Sequence, residues 1–127
     1  MQACWTCHGA NGQSTQKEVP SLGGQPEFFL LTQLFLFREG RRGGPMIEIA
    51  RGFSDDDLRA FAGRLAKLPP PQPPPGEPDA ARIARARALL QKTHCAVCHN
   101  ADFSGREQMP RLAAQREDYL LKSMREF

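Results

Sequence analysis

Cys4-Trp5-Thr6-Cys7-His8 lies at the start of the chain, and Cys95-Ala96-Val97-Cys98-His99 repeats its pattern some 90 residues later. Two further blocks follow each copy in the same order. Val19-Pro20-Ser21-Leu22-Gly23-Gly24-Gln25 pairs with Met109-Pro110-Arg111-Leu112-Ala113-Ala114-Gln115, and Glu27-Phe28-Phe29-Leu30-Leu31 with Glu117-Asp118-Tyr119-Leu120-Leu121. The interval from His8 to Gln25 is one residue longer than that from His99 to Gln115. Three matching blocks in one order mark an internal duplication, and the fold is read from that duplication first.

Between the copies stands Pro69-Pro70-Pro71-Gln72-Pro73-Pro74-Pro75-Gly76-Glu77-Pro78. Proline has no amide hydrogen and a fixed φ, so this stretch neither continues a helix nor joins a sheet. It favours an extended spacer that, at about 3.1 Å per residue, can separate two units by roughly 30 Å. The expected organisation is a first module over residues 1–68, a linker over 69–78 and a partial second module over 79–127.

The pattern on either side is helical, with no strand signal. Residues 26–38 start at Pro26 and carry Leu30, Leu31, Leu34 and Phe37 at helical spacing. Ser54 followed by Asp55, Asp56 and Asp57 is an N-cap with an acidic first turn, and Leu58, Phe61, Leu65 and Leu68 form one apolar face up to Pro69. Asp79 caps a helix over 79–92 with Ile83, Leu89 and Leu90 on its apolar side, and another helix begins near residue 116.

C-x-x-C-H is an attachment signature for c-type haem. One-turn spacing lets two cysteine sulfurs form thioethers with the two vinyl groups of a porphyrin, and the following histidine then sits under the iron. Cys4, Cys7, Cys95 and Cys98 are the expected covalent attachment points for two haems c, with His8 and His99 as proximal iron ligands. A four-cysteine zinc site and a redox dithiol are the competing readings. The long interval between the pairs weighs against zinc, and no α/β unit accompanies the dithiol pattern. The sixth ligand is expected on a loop over the opposite haem face. Met46, in Gly43-Gly44-Pro45-Met46 between two helical patterns, is the candidate in the first module, and such a ligand leaves no open iron position. Met109 and Met124 align with Val19 and Leu34, ahead of any equivalent loop, and read as packing residues.

Charge excludes one class of function. The net +3 is spread as 8 Lys/Arg against 7 Asp/Glu over residues 1–68 and 9 against 7 over residues 69–127. A nucleic-acid binder usually shows a clustered basic face, which is not seen here. No apolar run reaches the roughly 20 residues of a transmembrane helix, since Thr32 and Gln33 interrupt the longest.

From Cys7-His8-Gly9 to Gly12, through Val19-Pro20-Ser21-Leu22-Gly23-Gly24-Gln25, Leu30, Gln33, Leu34, Phe37-Arg38-Glu39-Gly40-Arg41-Arg42 and Met46 to Phe53-Ser54-Asp55-Asp56-Asp57-Leu58, the chain resembles the diheme class I cytochromes of the cytochrome c4 type, grouped with cytochrome c553-like carriers. The resemblance implies an all-α fold of two cytochrome c-like haem modules packed as a pair. It also implies single-electron transfer in the bacterial periplasm with no substrate chemistry. Expected partners are redox proteins such as a dehydrogenase, a cytochrome complex or a terminal oxidase. Two departures qualify it: the first module lacks the helix that normally precedes C-x-x-C-H, and the second ends before a methionine loop and closing helix. A fragment of a longer carrier is the expectation. An open iron site for gas binding or catalysis is the alternative at the second motif, and a zinc-stapled interaction module is the remaining one. The unpartnered helices at 54–68 and 79–92 are further expected to pack on each other, in the same chain or a neighbour, Leu58, Phe61 and Leu65 against Ile83 and Leu90.

Overall fold

The computed structural model describes residues 1–126, and among them it contains seven α-helices and no strand, only an isolated bridge between Arg106 and Met109. The first repeat holds α1 (Gln2–His8), α2 (Glu27–Arg38), α3 (Met46–Ala50) and α4 (Asp55–Ala66). The second holds α5 (Ala80–Thr93), α6 (Cys95–His99) and α7 (Glu117–Arg125). The fold is all-α, as the sequence pattern indicates.

Helix boundaries follow local chemistry. At α4 the Ser54 hydroxyl accepts from the Asp57 amide at 3.1 Å while the Asp57 carboxylate accepts from the Ser54 amide at 2.9 Å, a complete capping box. Asp79 caps α5 by accepting from the amides of Ala81 and Arg82. The end of α2 is closed by Gly40 at φ 66°, with the Arg41 amide bonded to the Leu36 carbonyl and the Gly40 amide to Phe37, a Schellman arrangement that only a residue free to adopt positive φ makes without strain. Pro26 precedes α2 as its N-cap rather than lying inside its first turn.

The core is the contact of α2 with α4, where Leu30, Ala62 and Leu65 are almost fully buried. Arg38, at the end of α2, donates to Asp55 at 2.7 Å and to the Phe53 carbonyl at 3.2 Å, tying that end to the start of α4. Met1, Trp5, Leu22 and Leu68 complete this cluster. The expected packing of α4 on α5 therefore does not form within the chain. Met1 and Trp5 of the N-terminal segment already cover the α4 face, and α5 meets α6 instead, with no buried residue of its own. Trp5, although within the attachment motif, packs against this core.

The proline stretch begins by folding back. Pro71 is buried, and a side chain at Gly23 would strike the Pro69 carbonyl at 2.4 Å, so glycine is needed where residues 69–71 cross that turn. Residues 72–80 are exposed. The two repeats are not held apart at the span of an extended spacer; they are hydrogen-bonded directly. Gln25 donates to the Arg111 carbonyl and accepts from the Arg111 amide, both at 2.9 Å. Gln115 does the same to Ser21, donating to its carbonyl at 2.8 Å and accepting from its amide at 2.9 Å. Because Ser21 and Gln25 occupy the repeat positions of Arg111 and Gln115, the two bidentate clamps are equivalent by the duplication. Arg42 adds a bond to the Tyr119 hydroxyl at 3.0 Å, and Arg116 one to the Ser14 carbonyl at 3.3 Å.

Candidate haem-binding sites

In the first repeat α1 carries the whole motif. Cys4 and Cys7 are free thiols on successive turns, and His8 closes the helix with only 6% of its surface exposed. The chain then turns at Gly9, whose φ of 76° and close approach to the Gln13 carbonyl leave no room for a side chain. The His8 Nδ1 lies 2.8 Å from the Pro20 carbonyl. A carbonyl only accepts, so Nδ1 carries the hydrogen and Nε2 is the nitrogen left with a free lone pair. Burial pushes the His8 imidazole below its ordinary pKa and so favours the neutral form, and the Pro20 bond works against that shift.

A narrow slot of about 30 Å³ opens beside this face. Cys4, Cys7 and His8 form one wall; Leu22, Leu34, Met46, Ile49, Phe53, Phe61 and Leu65 form the others. Apart from the imidazole no ionisable group but the thiols lines it, and Phe53 meets Phe61 edge-on at 4.9 Å. The chemistry of this lining suits a flat, largely apolar group tethered through two sulfurs, with an imidazole and a thioether among the lining residues. Met46 does not sit in an irregular loop: it is the first residue of α3, a five-residue helix that packs on α2.

The second repeat reproduces the proximal half. His99 closes α6, and its Nδ1 is 2.8 Å from the Pro110 carbonyl, the same relation as His8 to Pro20. Cys95 is half-buried and 3.2 Å from the Thr93 hydroxyl, while Cys98 is exposed. Asn100 takes the place of Gly9 at φ 69° and ψ 161°, with its amide bonded to Ser104 and the Gly105 carbonyl. His94 is an exposed left-handed cap of α5. Met109 exchanges backbone bonds with Arg106 in a tight turn. Met124 is 66% exposed on α7, so it does not pack as the sequence suggested; no described helix covers that face. The two cysteine pairs are not brought together, and among the described residues no cluster of three or more His, Cys, Asp or Glu side chains forms.

The residues missed by sequence reasoning are Ser21, Gln25, Arg111 and Gln115. Their repetition is plain, but nothing in it said that they join the repeats. Arg42 is engaged by Gln33, the Phe37 ring and the Tyr119 hydroxyl.

The cytochrome c family model matches residues 83–127. Cytochrome c4 of Pseudomonas aeruginosa is 29% identical over 98% of this chain and 65% of its own length. The thiosulfate dehydrogenase electron acceptor of Thiomonas intermedia is 30% identical over 93% of this chain and 59% of its own length. Cytochrome c-554(548) of Halomonas halodenitrificans is 35% identical over 46% of this chain and 76% of its own length. Among solved structures, cytochrome c4 of Acidithiobacillus ferrooxidans superposes with a TM-score of 0.87 at 25% identity, over 98% of this chain and 80% of that one. Fold and site together define a c-type cytochrome, and the chain belongs to the cytochrome c family. Along nearly its whole length its likeness is to cytochromes c4, and it spans about two thirds of the length of the first curated relatives it matches.

Proposed function

We propose that the chain is a periplasmic carrier of single electrons that holds two haems c, one in each repeat, and has no substrate chemistry of its own. The observation that carries this reading is the twofold occurrence of C-x-x-C-H with its histidine held on a proline carbonyl at 2.8 Å. Haem c, when bound, supplies a one-electron iron couple. Cys4 and Cys7 would hold the first group and Cys95 and Cys98 the second. His8 and His99 would be the proximal ligands, fixed in the Nδ1–H tautomer by Pro20 and Pro110. Met46 would face His8 across the first slot, and the apolar side chains around it exclude water, which raises a potential.

Residues 1–68 and 79–127 are then two haem modules, and residues 69–78 are the segment between them. Partners of a carrier are other redox proteins: a dehydrogenase, a cytochrome complex or a terminal oxidase. The likeness to a thiosulfate dehydrogenase electron acceptor supports the first of these. No described helix is long and apolar enough to cross a membrane.

The test is expression in a periplasm competent for cytochrome maturation, followed by a pyridine haemochrome count and a far-red absorption spectrum. The expected result is two haems per chain and one methionine–iron charge-transfer band that disappears in Met46→Ala. A protein without haem absorbance would overturn the proposal. Carbon monoxide binding to the reduced protein at the first haem would overturn the assignment of Met46.

A further inference from the structure

The histidine and glutamine contacts described above share two peptide groups. The carbonyl that accepts from His8 belongs to Pro20, and the amide hydrogen of the same peptide unit is that of Ser21. That amide donates to Oε1 of Gln115, in the other repeat, at 2.9 Å. The mirror relation holds in the second repeat. The Pro110 carbonyl accepts from His99, and the Arg111 amide on the same peptide unit donates to Oε1 of Gln25 at 2.9 Å. Ser21 and Gln25 are 3% and 4% exposed, so the bonds to them are shielded from competing water.

We infer that Gln115 and Gln25 are positioning residues that act across the interface, each tuning the proximal histidine of the opposite repeat through a single peptide unit. An amide that donates at its nitrogen becomes a better acceptor at its oxygen, and each bond in such a chain strengthens the next by about 10–30%. Gln115 thus draws the Pro20 carbonyl toward greater negative charge, and that carbonyl holds the His8 Nδ1–H more strongly. The imidazole Nε2 becomes the richer donor, which favours an oxidised metal centre bound there. Gln25 does the same for His99. Each repeat carries, in one side chain, a setting for the other site, and loosening the interface relaxes both.

This inference rests on the haem reading above and deepens it. The experiment is a redox titration of the haem-loaded protein and of Gln115→Met and Gln25→Met, with the two haems told apart by their haem-methyl NMR signals. Methionine keeps the length of glutamine but neither accepts nor donates as the amide does. Gln115→Met should lower the oxidised-to-reduced ratio of the first-repeat haem about threefold at fixed potential, roughly 30 mV upward for a one-electron couple. The second-repeat haem should move much less, and Gln25→Met should give the crossed pattern. A shift confined to the mutated residue's own repeat, an equal shift of both haems, or no shift overturns the relay while leaving two bound haems in place. Absence of haem in the unmodified protein sinks both readings. Should either variant not fold, amide exchange in the unmodified protein decides: Ser21 and Arg111 must be strongly protected, and fast exchange at either overturns the relay.

Discussion

The two repeats present the same proximal half-site in opposite states of enclosure. His8 is 6% exposed beneath a core in which Leu30 is 3% exposed, whereas His99 and Leu120, the equivalent positions, are only half-buried. The local chemistry is not what separates them: both histidines rest on proline carbonyls at 2.8 Å. What differs is the cover. In the first repeat α3 and α4 lie over α2; in the second, α7 has no described helix across it, and Leu121 and Met124 stand 45% and 66% exposed. The motif and turn fix the histidine's orientation, but burial comes from elements far along the chain.

The sharpest way to break this comparison is to truncate the same repeat position on each side. Leu30→Ala removes a side chain from a closed core and should cost about 2–5 kcal/mol, read as a lower denaturant midpoint. Leu120→Ala should cost less, roughly 1–2 kcal/mol, because that side chain is already partly exposed. Equal losses would show the two environments to be alike. Next comes the residue after each histidine. Gly9→Asn forces a Cβ to within 2.0 Å of the Gln13 carbonyl, and the backbone there is at φ 76°. Strain and overpacking together should cost on the order of 2–4 kcal/mol. Asn100→Gly should stay within about 1 kcal/mol of the parent. It relieves strain at φ 69° but gives up the bonds to Ser104 and Gly105, effects of opposite sign.

These positions also show what was legible in the sequence. The helices and the Ser54 and Asp79 caps could be read because each depends on neighbours within a turn or two. Met46 was singled out by its place between helices, and the segment around it folds as α3 rather than as an irregular loop. The packing of α4 was misread because Met1 and Trp5 fill the face that a preceding helix was thought to require. The glutamine clamps were invisible for a related reason. Gln25 and Arg111 are 86 residues apart, and a side chain bonded to backbone leaves no complementary residue type for a pattern to reveal.

A smaller effect separates the two capped helices. Ser54→Ala removes the capping box from α4, the helix that buries Leu58, Ala62 and Leu65, and should lower global stability by about 1 kcal/mol. Asp79→Ala removes the carboxylate that accepts from two amides at the start of α5, a helix with no fully buried residue. Its consequence should be local fraying, seen as faster exchange at Ala81 and Arg82 with an almost unchanged unfolding midpoint. A global loss from Asp79→Ala as large as that from Ser54→Ala would mean that α5 carries packing the comparison denies it.

The smallest expected effect concerns the interface that joins the two repeats. Asp118 accepts from the Arg116 guanidinium at 2.8 Å and from the Glu18 amide of the first repeat at 3.2 Å. The Arg116 bond, aided by the Glu18 and Tyr119 amides, holds its carboxyl down to about 2, below the ordinary 3.8. A carboxylate whose folded pKa is depressed contributes stability that is full above its unfolded value and is lost as pH falls through the folded one. This contact should therefore persist at pH 5, weaken between about 4 and 2, and be gone below. The carboxyl carbon of Asp118 should titrate near 2 by NMR, and Asp118→Asn should remove that part of the acid dependence while leaving the Gln25 and Gln115 clamps in place. A midpoint near 4 would show that Arg116 does not hold Asp118 in solution, and the joint between the repeats would then rest on the glutamines, the Arg42–Tyr119 bond and the Arg116–Ser14 bond.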